Sequence, residues 1–352
     1  MPTVDLHQPA IPVNYARQLV ELCARWHVAP QELMEGTALA RLDPASTDAR
    51  LTPLEFNILV DRALRLTGEP ALGYHFGLQT KLSAHGFLGY AVMTSATLGD
   101  AISLTEKFFS TRSGALALRF FVEQGSVPGG TADVAVVQID STVDIKLPFA
   151  FPFESLLVGL CHAGAYITGK DSMEAEIWLD FPEPAYYAAC AHLLPCPIRY
   201  GKSVNQLRFP AVLLQQPLLM ADATASLLAR EQCERELAAL SSQPLVSRVR
   251  ALLGEDLGAM PDLESVAARC CMSARSLKRK LAEHGVSFSE LAADMRRDEA
   301  FVLLAEGRLS IEQIAGRLGY RDPANFTRAF KAWTGETPRQ YREQRRAGLR
   351  SL

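Results

Sequence analysis

One segment constrains the fold of this 352-residue chain more than any other: SIEQIAGRLGYRDPANFTRAFKAW, residues 310–333. A Ser-x-x-Gln pair with capping-box spacing begins at Ser310, and an Asp-Pro pair typical of a helix start begins at Asp322. Gly319 lies between them, where a tight reversal favours a residue that tolerates positive φ. Apolar residues recur at helical spacing on both sides of this glycine. The segment therefore predicts two short helices joined by a tight turn, a helix-turn-helix unit.

The second helix of this unit has two chemically different faces. Phe326, Phe330 and Trp333 follow one another at i, i+4 and i+7, so we expect them to be buried against the first helix. Asn325 and Arg328 lie on the opposite face; asparagine can pair with adenine in bidentate fashion, and arginine with guanine. A small residue at the helix start allows close approach to a groove, and neighbouring polar groups suit phosphate oxygens. The predicted DNA contacts of this unit are Arg321, Ala324, Asn325, Thr327, Arg328 and Lys331.

A similar pattern occurs earlier, in PDLESVAARCCMSARSLKRKLAEHG, residues 261–285. Asp262 and Ser273 are placed to cap two helices, and Leu277 and Leu281 are spaced to face inward in the second. Basic residues occupy the other face of that helix. The predicted DNA contacts of this unit are Arg275, Ser276, Lys278 and Arg279.

The spacing between the two units also favours DNA binding. Residues 287–305 have apolar positions at helical spacing, and a helix of 19 residues is about 28 Å long. Adjacent major-groove turns on one face of DNA are about 34 Å apart. We expect this connector to hold both second helices over successive turns of the groove.

The first two thirds of the chain mix helix and strand patterns, which predicts an α+β domain. The predicted helices are 14–26, 52–67, 97–109, 153–168 and 184–194. The predicted strands are 116–122, 133–139, 175–181 and 205–209. A polar, exposed helix is expected over 222–240, with a break at SSQP. We therefore predict an α+β domain over 1–220, a linker helix and hinge over 221–244, and an all-α domain over 245–352, with two helix-turn-helix units joined by a long helix.

Charge and cysteine usage fit this division. From residue 241 onward there are 19 Lys and Arg against 14 Asp and Glu, whereas residues 1–240 hold 17 basic and 25 acidic side chains. A basic segment behind an acidic body is typical of an attached nucleic-acid module. The seven cysteines have no metal-ligand spacing, which suits a reducing cytoplasm. No secretory signal is recognised, and no apolar run reaches the roughly 20 residues expected of a membrane helix.

Other site chemistries find little support in the pattern. His75, His85, His162 and His192 lie on separate predicted elements without metal-site spacing, so we interpret them as core or surface residues. The Phe120–Phe121 pair and the run LPFAFPF at 147–153 could line an apolar pocket, although core packing is the favoured interpretation. No metal, cofactor or catalytic residue is predicted, and the residues of any ligand pocket are left unassigned.

With these motifs in place, residues 245–345 resemble the DNA-binding domain of the AraC/XylS family of bacterial transcription regulators. The resemblance rests on IEQIAGRLGYRDPANFTRAFKAWTGETPRQYR. In that family the second helix of each unit enters the major groove. The N-terminal region is similar to the branch labelled arabinose-binding, through LGYHFGLQTKLSAHGFLGYAVMTSATLGDAISLTEKF (72–108) and FPEPAYYAACAHLLPCPIRYGKSVNQLRF (181–209).

This resemblance implies a function that the residues alone do not give. It implies a cytoplasmic, homodimeric transcription regulator, in which an α+β N-terminal domain binds a small-molecule effector and mediates dimerisation. It further implies contact with RNA polymerase and a role as an activator. The effector, the operator and the sign of regulation are not given by the sequence.

Two alternative functions share tandem helix-turn-helix units. Some DNA-repair alkyl-transfer enzymes combine them with catalytic and zinc-binding cysteines; here Cys196 lies in Leu-Pro-Cys-Pro, with no histidine after it and no cysteine cluster upstream. A non-specific nucleoid-binding protein would also use basic helices, but would hardly need an acidic domain of 240 residues. Zinc content and alkyl transfer would identify the first, and competition by unrelated DNA the second.

Overall fold

The computed structural model describes residues 9–35, 37, 39, 49–127, 130–142, 150–241, 244–254, 258, 260–270 and 272–343. Its α-helices are α1 (Val13–Cys23), α2 (Pro30–Met34), α3 (Pro53–Thr67), α4 (Leu72–Gln79), α5 (Phe87–Met93), α6 (Leu98–Phe108), α7 (Ala150–Thr168), α8 (Tyr187–Cys190), α9 (Ala223–Ser241), α10 (Pro244–Gly254), α11 (Leu263–Arg269), α12 (Ala274–Glu283), α13 (Phe288–Glu306), α14 (Ile311–Arg317) and α15 (Pro323–Thr334). Its strands are β1 (Ile11–Pro12), β2 (Arg50–Leu51), β3 (Leu116–Val127), β4 (Gly130–Ser141), β5 (Glu176–Trp178), β6 (Ile198–Arg199) and β7 (Asn205–Pro210).

A mixed sheet forms the centre of the N-terminal region, with strand order β3-β4-β7-β5-β6. Strands β3 and β4 form a long antiparallel hairpin in which Leu116 pairs with Ser141, and β5 and β6 pair in parallel. β1 and β2 form a separate two-stranded pair. The predicted α+β class is confirmed for this region.

Helices cover the sheet and build the N-terminal core. Leu157, Val158 and Cys161 of α7 and Phe108 of α6 are buried with sheet residues such as Ile177. A second core forms where α1, α2, α3 and α4 meet. Capping boxes start α3, at Thr52 and Glu55, and α6, at Thr97 and Asp100.

Two elements are shorter than predicted from the sequence, whereas the hairpin strands β3 and β4 extend beyond the predicted 116–122 and 133–139. The strand expected over 175–181 is only Glu176–Trp178, and the helix expected over 184–194 is one α-turn, Tyr187–Cys190, followed by a 3-10 turn, Ala191–Leu193. Pro184 begins the second segment and Pro195 follows it, and the missing N–H and fixed φ of proline limit a regular helix to the residues between them.

Helix α7 meets the length and composition of a membrane span, which the sequence analysis did not expect. Half of its apolar window is buried, and Phe151 packs its ring against Phe76 of α4. In this structure α7 is a core helix, lying between α4 and the sheet.

Helix α9 was predicted to be an exposed linker, and for one of its faces this is wrong. Cys233 is fully buried in the N-terminal core and Ala229 nearly so, while Leu227 and Leu228 on the other face are 59 % exposed. Glu236 of α9 forms ion pairs with Arg50 and Arg112 of the N-terminal region. The sequence pattern hid this contact because a single alanine–cysteine stripe in a polar helix gives a weak periodic signal.

Helices α10 to α15 contain two further cores, joined by α13. Val249 and Leu253 of α10 pack with Val266, Leu277 and Leu291 in the first. The second contains Leu303, Ile314 and an aromatic group around Phe330. Phe326, Phe330, Leu277 and Leu281 are buried as expected, whereas Trp333 is only half-buried. The predicted all-α architecture with two helix-turn-helix units on one long helix is confirmed.

The second of these cores includes two residues from the N-terminal region. Leu54 and Ile58 of α3 are buried in the cluster that holds Phe330 and Tyr341. Polar contacts surround this apolar seam: Arg297 of α13 lies 3.2 Å from Glu55 Oε1, and the Tyr341 hydroxyl donates to Asp61 Oδ2 over 3.4 Å. Helix α3 therefore joins the α+β region to the second helix-turn-helix unit.

Candidate functional site

The second helix-turn-helix unit is built by the local signals in its sequence. The Ser310 hydroxyl accepts from the Gln313 backbone N–H at 3.2 Å, and the Ser310 N–H donates to the Gln313 side chain at 2.8 Å. Gly319 has a φ of 80°, which a residue with a Cβ rarely adopts. Asp322 Oδ1 then accepts from the Ala324 N–H at 2.9 Å, with Pro323 at the first helical position. These features fix the start of α15.

Burial on one side of α15 leaves the predicted DNA-contacting side chains on the other. Phe326 and Phe330 are fully buried, with ring centroids 5.9 Å apart. Of the six predicted contacts of this unit, Thr327 is half-buried and the others are exposed: Arg321, Ala324, Asn325, Arg328 and Lys331.

The two side chains predicted to contact bases are bonded to each other. Arg328 Nη2 donates to Asn325 Oδ1 at 2.5 Å. The pair therefore presents the asparagine amide donors and the remaining guanidinium N–H groups side by side, which together match acceptor atoms in a major groove.

The first unit has the same construction with a different exposed face. Asp262 Oδ1 accepts from the Ser265 N–H at 2.8 Å, and the Ser273 hydroxyl accepts from the Ser276 N–H at 3.2 Å. Leu277 and Leu281 are fully buried, which turns the basic residues outward. The exposed predicted contacts are Arg275, Lys278 and Arg279.

Two of the predicted contacts in this unit already have partners within α12. The Ser276 hydroxyl lies 2.9 Å from that of Ser273, so it completes the cap of the helix. Arg279 lies 3.9 Å from Glu283 Oε1, in a pair whose side chains are more than half exposed. An exposed pair of this kind contributes little to stability and leaves the guanidinium accessible to a phosphate.

One helix carries both units. Leu291 and Met295, near the start of α13, belong to the core of the first unit, and Phe301 and Leu304, near its end, to the core of the second. A capping box at Ser287 starts α13 and Gly307 ends it, with 19 residues between. The helix is thus about 28 Å long, and the predicted length of the connector is confirmed.

A cavity of about 220 Å³ lies inside the N-terminal region. Its wall is formed mainly by apolar side chains of α5, α6 and α7, closed on one side by Pro53, Phe56 and Asn57 of α3. An apolar cavity of roughly 150 Å³ can hold benzene, so this one has room for a small organic molecule.

Polar groups gather at one end of this cavity. The Tyr15 hydroxyl lies 2.6 Å from His85 Nδ1, and Arg112 is next to both. Burial, and then the neighbouring Arg112, lowers the pKa of His85 to about 4, so the imidazole is neutral at physiological pH. Arg112 Nη2 donates to Glu236 Oε2 at 2.6 Å, and Glu236 also pairs with Arg50 at 3.3 Å.

Sequence reasoning did not identify this cavity. His85 was interpreted as a core or surface residue; it is half-buried, in the cavity wall. Phe151, from the run at 147–153, lines the cavity as well as packing in a core, whereas residues 147–149 lie outside the described part. The polar groups come from positions 15, 85 and 112, and nothing in a single sequence brings such distant residues together.

Within the described residues, no three His, Cys, Asp or Glu side chains come together in a way that could hold a metal ion. The described cysteines are free thiols: Cys23, Cys161, Cys190, Cys196, Cys233 and Cys270.

Comparison with known proteins agrees with both halves of this architecture. The family described as the arabinose-binding domain of AraC transcription regulators matches residues 28–218, and a helix-turn-helix domain family matches residues 266–344. The ornithine utilization regulator of Pseudomonas aeruginosa is 33% identical over 95% of this chain and 96% of its own length. A helix-turn-helix transcriptional regulator of Mycobacterium tuberculosis is 26% identical over 94% of this chain and 95% of its own.

Among solved structures, the transcriptional regulator CdpR of Pseudomonas aeruginosa matches with a TM-score of 0.42 and 23% identity. The match covers 89% of this chain and 97% of that one. The family matches and the relatives are transcription regulators and not enzymes, so the repair-enzyme alternative is set aside. The chain belongs to the AraC family of DNA-binding transcription regulators.

Proposed function

We propose that this regulator reads a bipartite DNA site, with α12 and α15 in successive turns of the major groove. One observation carries the proposal: the two units, each with an exposed helix face, are both built on the 19-residue helix α13, which is about 28 Å long. Successive groove turns on one face of DNA are about 34 Å apart, within reach of side chains at both ends.

The two units divide the work of recognition between them. In the second unit, Asn325 and Arg328 contact base edges, while Arg321, Thr327 and Lys331 contact phosphates and Ala324 allows close approach. In α12, Arg275, Lys278 and Arg279 supply mainly phosphate contacts, with Ser276 beside them. Contacts from cations to phosphates give affinity that falls with salt, whereas contacts from the amide and guanidinium of α15 to base edges give sequence choice.

A small molecule bound in the N-terminal cavity controls DNA binding in this proposal. Helix α3 supports it, because Phe56 and Asn57 line the cavity while Leu54 and Ile58 pack into the core of the second unit. A ligand that fits one position of α3 better than another shifts the population of arrangements of this unit. The domains are then 1–220 for ligand binding and dimerisation, 221–244 as linker and hinge, and 245–352 for DNA binding.

The remaining parts of the proposal concern the assembly. The protein acts in the cytoplasm as a homodimer, for which the exposed Leu227 and Leu228 of α9 offer an apolar surface. It activates transcription through contact with RNA polymerase, as in the family it belongs to.

The test of base reading compares Arg328→Ala with Lys278→Ala on a DNA fragment selected by the protein and on unrelated DNA. Arg328→Ala is expected to cost about 1–3 kcal/mol on the selected fragment and much less on unrelated DNA. Lys278→Ala is expected to weaken both equally and to reduce the salt slope of binding by about one. Arg119→Ala, an exposed arginine on β3, is the matched control and should change neither affinity.

An equal loss on both DNAs for Arg328→Ala would contradict the base-reading role of α15. If unrelated DNA also competed as well as the selected fragment against the unmodified protein, the non-specific nucleoid-binding alternative would replace the proposal.

A further inference from the structure

The cavity in the N-terminal region has an unusual wall: apolar nearly throughout, with one charged side chain. Among its described lining residues Arg112 alone carries a full charge, and none carries a carboxylate. Arg112 is only 8% exposed. A ligand that fills this space must therefore be apolar over most of its surface and must match a cation at one end.

The buried charges around Arg112 do not balance. Among the described residues, Arg50 and Arg112 share one carboxylate, that of Glu236. The Arg50 Nη1 group also donates to the Ala10 and Thr111 carbonyls. Burial lowers the pKa of Arg50, and the neighbouring positive charge of Arg112 lowers it further. His85 is neutral. The cluster holds two guanidiniums against one carboxylate, and a buried excess cation is costly unless an anion pairs with it.

Arg112 also has an open donor. Its Nη2 is bonded to Glu236, whereas its Nη1 makes no hydrogen bond among the described residues and remains accessible; its Nε also lacks a partner, but it is buried out of reach of a molecule in the cavity. A buried guanidinium N–H without an acceptor costs stability, and a carboxylate is the acceptor that best fits a guanidinium edge. The Tyr15 hydroxyl, beside His85 in the same wall, is a further polar group at this end.

We propose that the cavity binds a compact organic anion with one carboxylate, held by Arg112, and an aromatic or aliphatic body in the apolar part. This inference rests on the proposed control of DNA binding by a small molecule and names the chemical class of that molecule. At 220 Å³ the space is larger than the roughly 150 Å³ that holds benzene, so a ring or short chain with one added carboxyl group fits its size.

The same chemistry disfavours a cationic amino acid at this site. One relative is named for ornithine utilization, and ornithine carries two ammonium groups beside one carboxylate. Its carboxylate matches Arg112, but the described wall offers no carboxylate to either ammonium group. Overall sequence similarity to that regulator therefore does not extend to its named compound at this cavity.

Binding of the anion also acts on helix α9. The ligand carboxylate shares Arg112 with Glu236, and two carboxylates on one guanidinium repel each other. Glu236 lies on α9, which directly precedes the DNA-binding helices in the chain. Loosening this ion pair weakens one of the polar contacts that hold α9 on the N-terminal core. The ligand therefore reaches the DNA-binding region through α9 as well as through α3.

The test uses probes with the same body and different charge, in a buffer free of carboxylates. Phenylacetate is compared with phenylacetamide and phenethylamine, and hexanoate with hexanamide and hexylamine, by calorimetry on the full-length protein. Each acid is expected to bind about 10- to 100-fold more tightly than its amide, as a charge-assisted hydrogen bond implies, and the amines most weakly.

Two substitutions in one ion pair separate ligand binding from a structural role. Arg112→Gln should remove the preference for acid over amide, whereas Glu236→Gln should strengthen acid binding several-fold, because the competing carboxylate is gone. A purely structural ion pair would give weaker binding in both variants. Ala101→Leu, which fills the apolar part of the cavity, should weaken acid and amide alike.

Acids that bind no better than their amides, absence of binding by every acid, or an acid preference that survives Arg112→Gln would each overturn the proposal. The same preparations are assayed for binding to a selected and an unrelated DNA fragment. If selective DNA binding persists while the acids fail, only the ligand class is wrong; if DNA binding is unselective, the proposed function itself fails.

Discussion

The two helix-turn-helix units share one scaffold but differ in what they pack against. The second unit has an aromatic core, in which Phe330 contacts Phe301, Phe326 and Tyr341, and it includes residues of α3. The core of the first unit is aliphatic, and in the described part of the chain it contains no residue from the N-terminal region. The second unit is thus positioned directly by the N-terminal region, whereas the first is linked to that region through α13 and through the chain that leads from α9 into α10.

The two units also differ in the side chains that their second helices expose. α12 presents Arg275, Lys278 and Arg279, a mainly cationic surface, whereas α15 presents the hydrogen-bonded Asn325 and Arg328. The unit that is coupled to the N-terminal region is therefore the one equipped to choose a sequence. Such an arrangement allows a small molecule to change selectivity more than general affinity for DNA.

The largest expected effect contrasts the two cores. Phe330→Ala should destabilise the second unit by about 3–5 kcal/mol, because a fully buried ring with several aromatic neighbours is lost. Leu277→Ala should cost at least about 1 kcal/mol less in the first unit, where an aliphatic side chain is lost. Hydrogen exchange of the α15 and α12 amides measures both; an equal or reversed order would contradict the difference between the cores.

An intermediate effect is expected at α3. Leu54→Ala removes a side chain buried in the second unit's core. It should lower the free energy of opening of α14 and α15, as measured by hydrogen exchange, by about 2–3 kcal/mol. The amides of α11 and α12 should not change. Leu59→Ala, on the other face of the same helix, is the control, because Leu59 packs in the N-terminal core with α1. Faster exchange in α12 after Leu54→Ala would show that the units are not coupled differently.

The smallest effect should be the same in both units. Ser273→Ala and Ser310→Ala each remove an N-cap acceptor that lies 3.2 Å from a backbone N–H, and each should cost about 1 kcal/mol. Exchange of the first-turn amides of α12 and α14 measures the cost. If the two substitutions differ in cost by more than about 0.5 kcal/mol, the two scaffolds are less alike than their geometry indicates.

The sequence predicted the DNA-binding region well because its signals are local. Ser310, Gly319 and Asp322 fix caps and a turn within a few residues, and the helical period of Phe326 and Phe330 fixes the buried face. The same holds for the capping boxes of α3 and α6. The buried face of α9 was missed, since Ala229 and Cys233 give too short an apolar stripe to outweigh the charges around them.

The ligand cavity was beyond sequence reasoning for the opposite reason. Tyr15, His85, Arg112 and Glu236 are far apart in the chain and meet only through tertiary packing. Each is an ordinary residue in its own segment. The role of α3 was also hidden. Leu54 and Ile58 pack in the second unit's core, whereas Phe56 and Asn57 line the cavity. A periodic pattern can show that a helix has two apolar faces, but it does not show what each face packs against.

Recovery of the genomic DNA fragments that the purified protein binds, at low and at raised salt, tests most directly whether α15 reads DNA sequence. We expect fragments that persist at raised salt and share one motif, read by α15, with backbone contacts from α12 about 10 base pairs away, one helical turn. Substitution of Asn325 and Arg328 should erase the motif and leave weaker, salt-sensitive binding through α12. Binding without a shared motif, lost uniformly as salt rises, would contradict the account, because it would mean that the exposed face of α15 reads no sequence.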